Sequence, residues 1–227
     1  MPQGIKVWSL WDLGVFVRTR VEAPWYLKSV SIQQLQEGEE NALAEALAEA
    51  FRDNPLNRAV VARDVRTRVR VNRVGMWLTL ESGKNIAEVW TATGDLHKVV
   101  GGLIAVPPGG WPLPGPAVGY QIWGLFRQGL RATHRWGHVY SELERVHPSE
   151  PHWYLSTLGI HPDYQRQGLA SALMKRWLAT VDESRFGSYL ETDHPESLSF
   201  YLRYNFEIRE ELMLWGVPIW RLWRPGA

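Results

Sequence analysis

Between residues 152 and 181 the chain reads as a strand, a tight turn and a helix, and this succession constrains the fold more than any other feature. His152 to Ile160 (HWYLSTLGI) is apolar on both faces, the pattern of a strand central in a sheet. Gly168 to Val181 places Leu169, Leu173, Trp177 and Val181 on one helical stripe, with Met174 and Leu178 beside it. The connection is His161-Pro162-Asp163-Tyr164, then Gln165-Arg166-Gln167-Gly168-Leu169-Ala170-Ser171. A helix that starts directly after a glycine turn offers unpartnered N–H groups and a positive dipole end, a ready anion site. Gly168 lets a ligand approach the backbone closely, Ala170 leaves room, and Arg166 adds positive charge. An ordinary βα loop can carry the same residues, so the turn does not decide a function alone.

The remainder predicts a single α/β domain. Residues 1–26 read as an N-terminal extension, and 27–227 as the domain. Val30 to Leu35 is a short strand, and Glu39 to Phe51 a helix with Leu43, Leu47, Ala50 and Phe51 on one stripe. Residues 56–80 read as helical and basic. Ala87 to Thr93, Gly94-Asp95 and Lys98 to Val106 form a hairpin. After the loop 107–116, residues 119–146 read as one long helical region with a break near Gly137. Gly187 to Thr192 is a strand, Pro195 opens a helix reaching Tyr204, and Phe206 to Trp223 makes two antiparallel strands around Gly216-Val217-Pro218.

Several functions are disfavoured by composition. A net charge of +1 gives no reason for a polyanionic partner, and the absence of cysteine removes thiol catalysis and Cys-ligated metal. The arginines of 58–73 have no aromatic residues interleaved, so they read as a solvated helix face and no nucleic acid is expected. His134, His138 and Glu142 stand at i, i+4 and i+8 without a further ligand, which favours a polar helix face over a metal. No run of about 18 apolar residues suggests a membrane span, and the first residues lack a signal-peptide core. A cytoplasmic protein without membrane attachment is expected.

The turn has the pattern Gln/Arg-x-x-Gly-x-Gly/Ala and resembles the acyl-CoA pyrophosphate loop of the Gcn5-related N-acetyltransferase (GNAT) superfamily. Downstream, YLETDHPESLSFYLRYNFEI is similar to that superfamily's next strand, Tyr-bearing helix and following strand. The resemblance covers 152–210 well and the chain from about residue 27 loosely. Within the superfamily, WYLSTLGIHPDYQRQGLASALM, LETDHPESLSFYLRYNF and the terminal Trp-Arg-Pro-Gly-Ala most resemble the puromycin N-acetyltransferase branch. One departure is Asn205, where the family has Gly; Asn tolerates the left-handed helix stop next best.

The resemblance implies a mixed, mostly antiparallel sheet flanked by helices on both faces, and acetyl-CoA as cosubstrate. It implies that backbone groups of Leu158 and Ile160, with Gly159 between them, pair with the pantetheine arm. The N–H groups of Gln165, Arg166, Gln167, Gly168, Leu169, Ala170 and Ser171 would hold the diphosphate. Ser197 stands where many members have an Asn near the cofactor arm, and Tyr201 where they have a Tyr facing the thioester sulfur. The two share one helix face at i and i+4. A phenol is protonated at neutral pH and can supply the proton that a departing thiolate needs. Glu191, at the end of its strand, is the candidate general base; a structural carboxylate, or an amine arriving neutral, are the alternatives. His161 reads as structural.

The expected reaction is acetyl transfer to a primary amine of a small molecule. Acetylation of a protein or peptide, and a GNAT-fold module that binds acyl-CoA without turnover, are the competing readings. A homodimer is compatible with all three. Thirteen tryptophans are an unusual count for this length, and aromatic excess is usually core packing; the alternative is that Trp90, Trp111, Trp123 and Trp136 lie on the wall that the resemblance implies opposite acetyl-CoA, favouring a hydrophobic or planar acceptor.

Overall fold

The computed structural model describes residues 31–226; the extension expected over 1–26 lies outside the described residues. Among the described residues, seven strands form one sheet in the order β1-β2-β3-β4-β5-β7-β6. They are β1 (Ser31–Gln34), β2 (Glu88–Thr93), β3 (Val99–Val106), β4 (His152–Ile160), β5 (Gly187–Thr192), β6 (Glu207–Leu214) and β7 (Val217–Arg224). Only β4 and β5 run parallel; the other neighbours are antiparallel. Among the same residues, seven α-helices accompany them: α1 (Glu40–Ala50), α2 (Pro55–Val60), α3 (Val65–Gly83), α4 (Val118–Gln128), α5 (Leu130–Val146), α6 (Leu169–Ser184) and α7 (Pro195–Leu202).

Strand alternation assigns the helices to faces. On β3, Val100, Leu103 and Ala105 join a core with Leu173, Trp177 and Val181 of α6 and with Tyr201 of α7. Val99 and Ile104 point the other way, onto Leu43 and Leu47 of α1 and Leu80 of α3. On that second face α5 contributes Ala132 and Val139 to a core with Val217 and Ile219 of β7. Helices therefore cover both faces of the sheet, as expected. The apolar stripe of α6 is the one read from the sequence: Leu169, Leu173, Met174, Trp177, Leu178 and Val181 are all buried.

Two expected helices divide. The basic stretch breaks after Val60, and α3 restarts at Asp64, whose carboxylate accepts from the Thr67 N–H at 3.0 Å. An N-cap aspartate of this kind satisfies one of the first-turn donors. The long helical region breaks at Gly129, not near Gly137. Gly129 takes φ +87°, which only glycine adopts without strain, whereas Gly137 continues the helix on its exposed side. A helical glycine costs about 1 kcal/mol, which does not stop a helix held by tertiary packing. Glu142, third of the spaced trio on α5, pairs with Arg145 at 2.8 Å. Asn205 adopts φ +63° immediately after α7, so the glycine departure leaves the helix stop intact.

Candidate active site

The central geometric feature is the parting of β4 from β5. Their parallel register covers only His152↔Gly187, Trp153↔Ser188 and Tyr154↔Tyr189. On its other side β4 stays paired with β3 as far as Ile160, across a register shift opposite Ile104/Ala105. Leu155 to Ile160 therefore present backbone N–H and C=O groups towards a gap instead of towards a neighbouring strand. Such an edge can take an extended ligand arm as an added strand. At its end, Gly159 is locked by packing: a Cβ there would lie 2.8 Å from Phe51 and 3.0 Å from Ala50 and Leu47. The last turn of α1 thus rests directly on β4 beside the gap.

The chain leaves β4 through His161, whose N–H donates to the Val100 carbonyl at 2.8 Å, while its Nδ1 accepts from the Asp163 N–H at 3.3 Å. Both contacts hold the chain where it leaves β4. Gln165 turns back to donate to the Ile160 carbonyl at 3.0 Å. Arg166 and Gly168 both have positive φ, +61° and +82°, and Gly168 precedes α6 with no side-chain cap. A Cβ on Gly168 would meet nothing within 4 Å, so the backbone is open there to a ligand. The first α6 N–H groups, at Leu169, Ala170 and Ser171, precede the first helical acceptor pair, Ala172 N–H to the Gly168 carbonyl at 2.9 Å. An exposed glycine turn, orphan donors and a positive dipole end fit a diphosphate.

Two ionisable groups lie on opposite faces of the sheet beside β5, the strand that borders the gap. Tyr201 is buried in the α6-side core against Phe200 and Phe206. Burial raises its phenol above the usual tyrosine range, and neighbouring Asp193 adds to the rise. Ser197 lies one turn earlier on α7, half-buried. Leu190 of β5 joins the same core, so the next residue, Glu191, faces the opposite side. There its Oε1 is shielded from solvent and lacks a hydrogen-bond partner among the described residues. Burial pushes the Glu191 carboxyl up to about 7, while the Tyr189 and Tyr154 phenols and Arg221 hold it from rising further.

The surroundings of Glu191 were not read from the sequence. Arg221 Nε donates to the Tyr189 hydroxyl oxygen at 2.9 Å, which leaves the Tyr189 proton free to face Glu191. Tyr154 lies edge-on to Trp111, with centroids 4.8 Å apart, and Trp111 stacks on His147 at 5.0 Å. His147 and His152 meet through their Nε2 atoms at 3.1 Å, and His152 Nδ1 lies 2.6 Å from the Glu150 carbonyl. The carbonyl requires a proton on Nδ1 of His152, so in the neutral pair His147 donates. Burial lowers both, His147 to about 4, so the pair is uncharged at neutral pH. Trp111 Nε1 is a second buried group without a partner among the described residues. One donor and one acceptor are thus left unspent around Tyr154. The signal for this cluster was available: Tyr189 and Glu191 stand at i and i+2 of one strand and must share a face.

Of the four tryptophans considered for the wall opposite the cofactor, only Trp111 joins this cluster. Trp90 is core beneath α6: its Nε1 donates to Glu88 at 2.6 Å and Arg176 covers its ring at 4.2 Å. Trp136 packs with the core between α2, α5 and the β6–β7 hairpin. Trp123 lies on α4, edge-on to Trp77 at 5.3 Å, in a pocket that also includes Asn41. That pocket is beside the first turn of α1, whereas Gly159 and the gap lie against its last turn.

Comparison with known proteins gives the same architecture. Residues 129–206, spanning α5 to the turn after α7, match the Acetyltransferase (GNAT) family. The fold is that of the GNAT acetyltransferases. A histone acetyltransferase HPA2 and related acetyltransferase structure from Corynebacterium glutamicum aligns with a TM-score of 0.64 at 18% identity, covering 88% of this chain and 97% of that one. The polyamine N-acetyltransferase of Drosophila melanogaster aligns with a TM-score of 0.58 at 11% identity, covering 87% and 100%. The PaiA N-acetyltransferase of Thermoplasma acidophilum, solved in complex with coenzyme A, aligns with a TM-score of 0.52 at 12% identity, covering 87% and 99%. The family match over 129–206 supports an acetyltransferase, and these neighbours share its fold. No helix among the described residues is long and apolar enough to cross a membrane.

Proposed function

We propose that this chain transfers an acetyl group from acetyl-CoA directly to the primary amine of a small molecule with a planar or hydrophobic body. The observation that carries the reading is the pair of ionisable groups on opposite faces of the sheet beside β5, Tyr201 on the α6 side and Glu191 on the other. The Gln165–Ser171 turn holds the diphosphate, and the free edge of β4 at Leu158, Gly159 and Ile160 takes the pantetheine arm, with Ser197 beside it. Acetyl-CoA supplies an activated carbonyl and a thiolate leaving group. Glu191, near neutrality in its buried setting, takes the proton of the attacking amine. Tyr201, kept protonated by burial, returns a proton to the sulfur.

The acceptor side supports a small amine. Trp111, Tyr154 and His147 offer flat surfaces, while Glu191 Oε1 accepts from an ammonium and Trp111 Nε1 donates to a nearby oxygen. Leaving two such buried groups unpaired costs free energy that a complementary ligand recovers. The puromycin N-acetyltransferase-like branch remains the reading within the superfamily, resting on residues 153–174 and 190–206.

The cofactor assignment is tested by thermal unfolding. A ligand present at a hundredfold its Kd stabilises the native state by about 2.7 kcal/mol. At roughly 2–4 °C per kcal/mol for a chain of this size, acetyl-CoA should raise Tm by about 5–10 °C. Gly168→Asp should abolish the rise, because it sets a carboxylate on the open side of the turn and strains a positive φ. An equal rise in both proteins would contradict the assignment of this turn.

A further inference from the structure

A second cavity, of about 380 Å³, lies where α2, α3 and the α4–α5 junction meet. It is on the sheet face opposite α6, so it is separate from the Gln165–Ser171 turn. Four arginines line it: Arg63, Arg70, Arg131 and Arg135. None of the four has an ion-pair partner among the described residues.

The same basic stretch supplies the contrast. Arg68 and Arg73 point away and pair with Asp53 at 2.9 Å and Glu45 at 2.8 Å. The acid nearest the cavity in sequence, Asp64, turns to Thr67, accepting from its N–H at 3.0 Å and its hydroxyl at 2.8 Å, and pairs with none of the four arginines. Arg135 is held in place: it donates to the Val60 carbonyl at 3.1 Å and lies 5.0 Å over the Trp215 ring. Leu130, Arg131 and Ala132 also line the cavity, and they are the first residues of α5, which has no side-chain cap. Their N–H groups are therefore available there as donors.

Four positive charges outnumber the one carboxylate nearest them in sequence, Asp64, so they repel one another on balance, and a bound anion reverses the sign of that interaction. Guanidinium forks match oxyanions in a bidentate geometry, and more than one fork favours a multivalent group. The cavity is at the small end of ligand pockets, so it suits an anionic head group rather than a polymer. We propose that it binds a small multivalent oxyanion, the phosphate or diphosphate group of a free metabolite.

The test is calorimetric titration of inorganic pyrophosphate into protein saturated with acetyl-CoA, which keeps the α6 turn filled. One saturable site is expected, with inorganic phosphate weaker. Arg63→Ala combined with Arg131→Ala should weaken pyrophosphate about tenfold or more, the loss of charge-assisted bonds. Arg58→Ala combined with Arg66→Ala removes two exposed arginines outside the cavity and should leave binding unchanged. If the first double variant melts early, single Arg131→Ala carries the same comparison. No heat, equal weakening by both double variants, or binding of a single-stranded oligonucleotide but not of pyrophosphate would overturn the proposal.

Discussion

Tyr201→Phe should lower kcat by about a hundred- to ten-thousand-fold, the worth of a positioned general acid, while the acetyl-CoA Kd moves by less than about threefold. The asymmetry follows from the site. The ring is buried between Phe200 and Phe206, so phenylalanine fills the same volume and the core stays packed. What is lost is the hydroxyl, held protonated by burial and by Asp193. Asp193 also donates order to the site: its carboxylate accepts from the Leu56 N–H at 2.7 Å and from Asn54 at 3.2 Å, tying the end of β5 to the start of α2. Tyr201→Phe is measured by initial rates and by separate equilibrium binding of acetyl-CoA. Unchanged turnover would remove the phenol from the chemistry and leave Tyr201 as a core aromatic.

Glu191→Gln should cost a similar factor in kcat/KM and, more diagnostically, should erase one limb of the pH profile. A base works in its deprotonated form, and burial raises this carboxyl to about 7. Wild-type activity should therefore rise with pH through about 7, at a point where an ordinary exposed glutamate has long been ionised. An amine acceptor adds its own rise at higher pH, as its ammonium form loses a proton. The two are separated by the variant: the limb near 7 disappears in Glu191→Gln, and the acceptor's limb stays. A wild-type profile flat from pH 6 to 8, or a limb near 7 that survives the substitution, would assign Glu191 a structural role.

Much of the fold was legible because local and tertiary preferences agree in it. Strand β4 is apolar on both faces because it is fourth of seven strands and is covered on both sides. The stripe of α6 was readable for the same reason, since one helix packs one face on one sheet. The break in the region 118–146 was not readable. Gly129 and Gly137 have equal intrinsic preferences, and only the separate packing of α4 on α3 and of α5 on the β6–β7 hairpin selects the first. The turn 165–171 was visible as a contiguous motif. The cluster around Glu191 was not, because Tyr154, Tyr189, Arg221 and Trp111 come from two strands of the sheet centre, the last strand and a loop. The tryptophan excess was ambiguous for a physical reason: an indole fills a core as readily as a pocket wall, and Trp90 and Trp136 are used for the former.

The reading as an enzyme is tested most directly by thiol release from acetyl-CoA across a panel of amines. The panel should contain arylalkyl and other planar primary amines, short polyamines, aminoglycosides and an amino-terminal peptide. The account predicts amine-dependent release of free CoA, fastest with the planar amines. Tight acetyl-CoA binding with no amine-dependent release from any member would contradict it and support a binding module; turnover confined to the peptide or to polyamines would contradict the proposed acceptor.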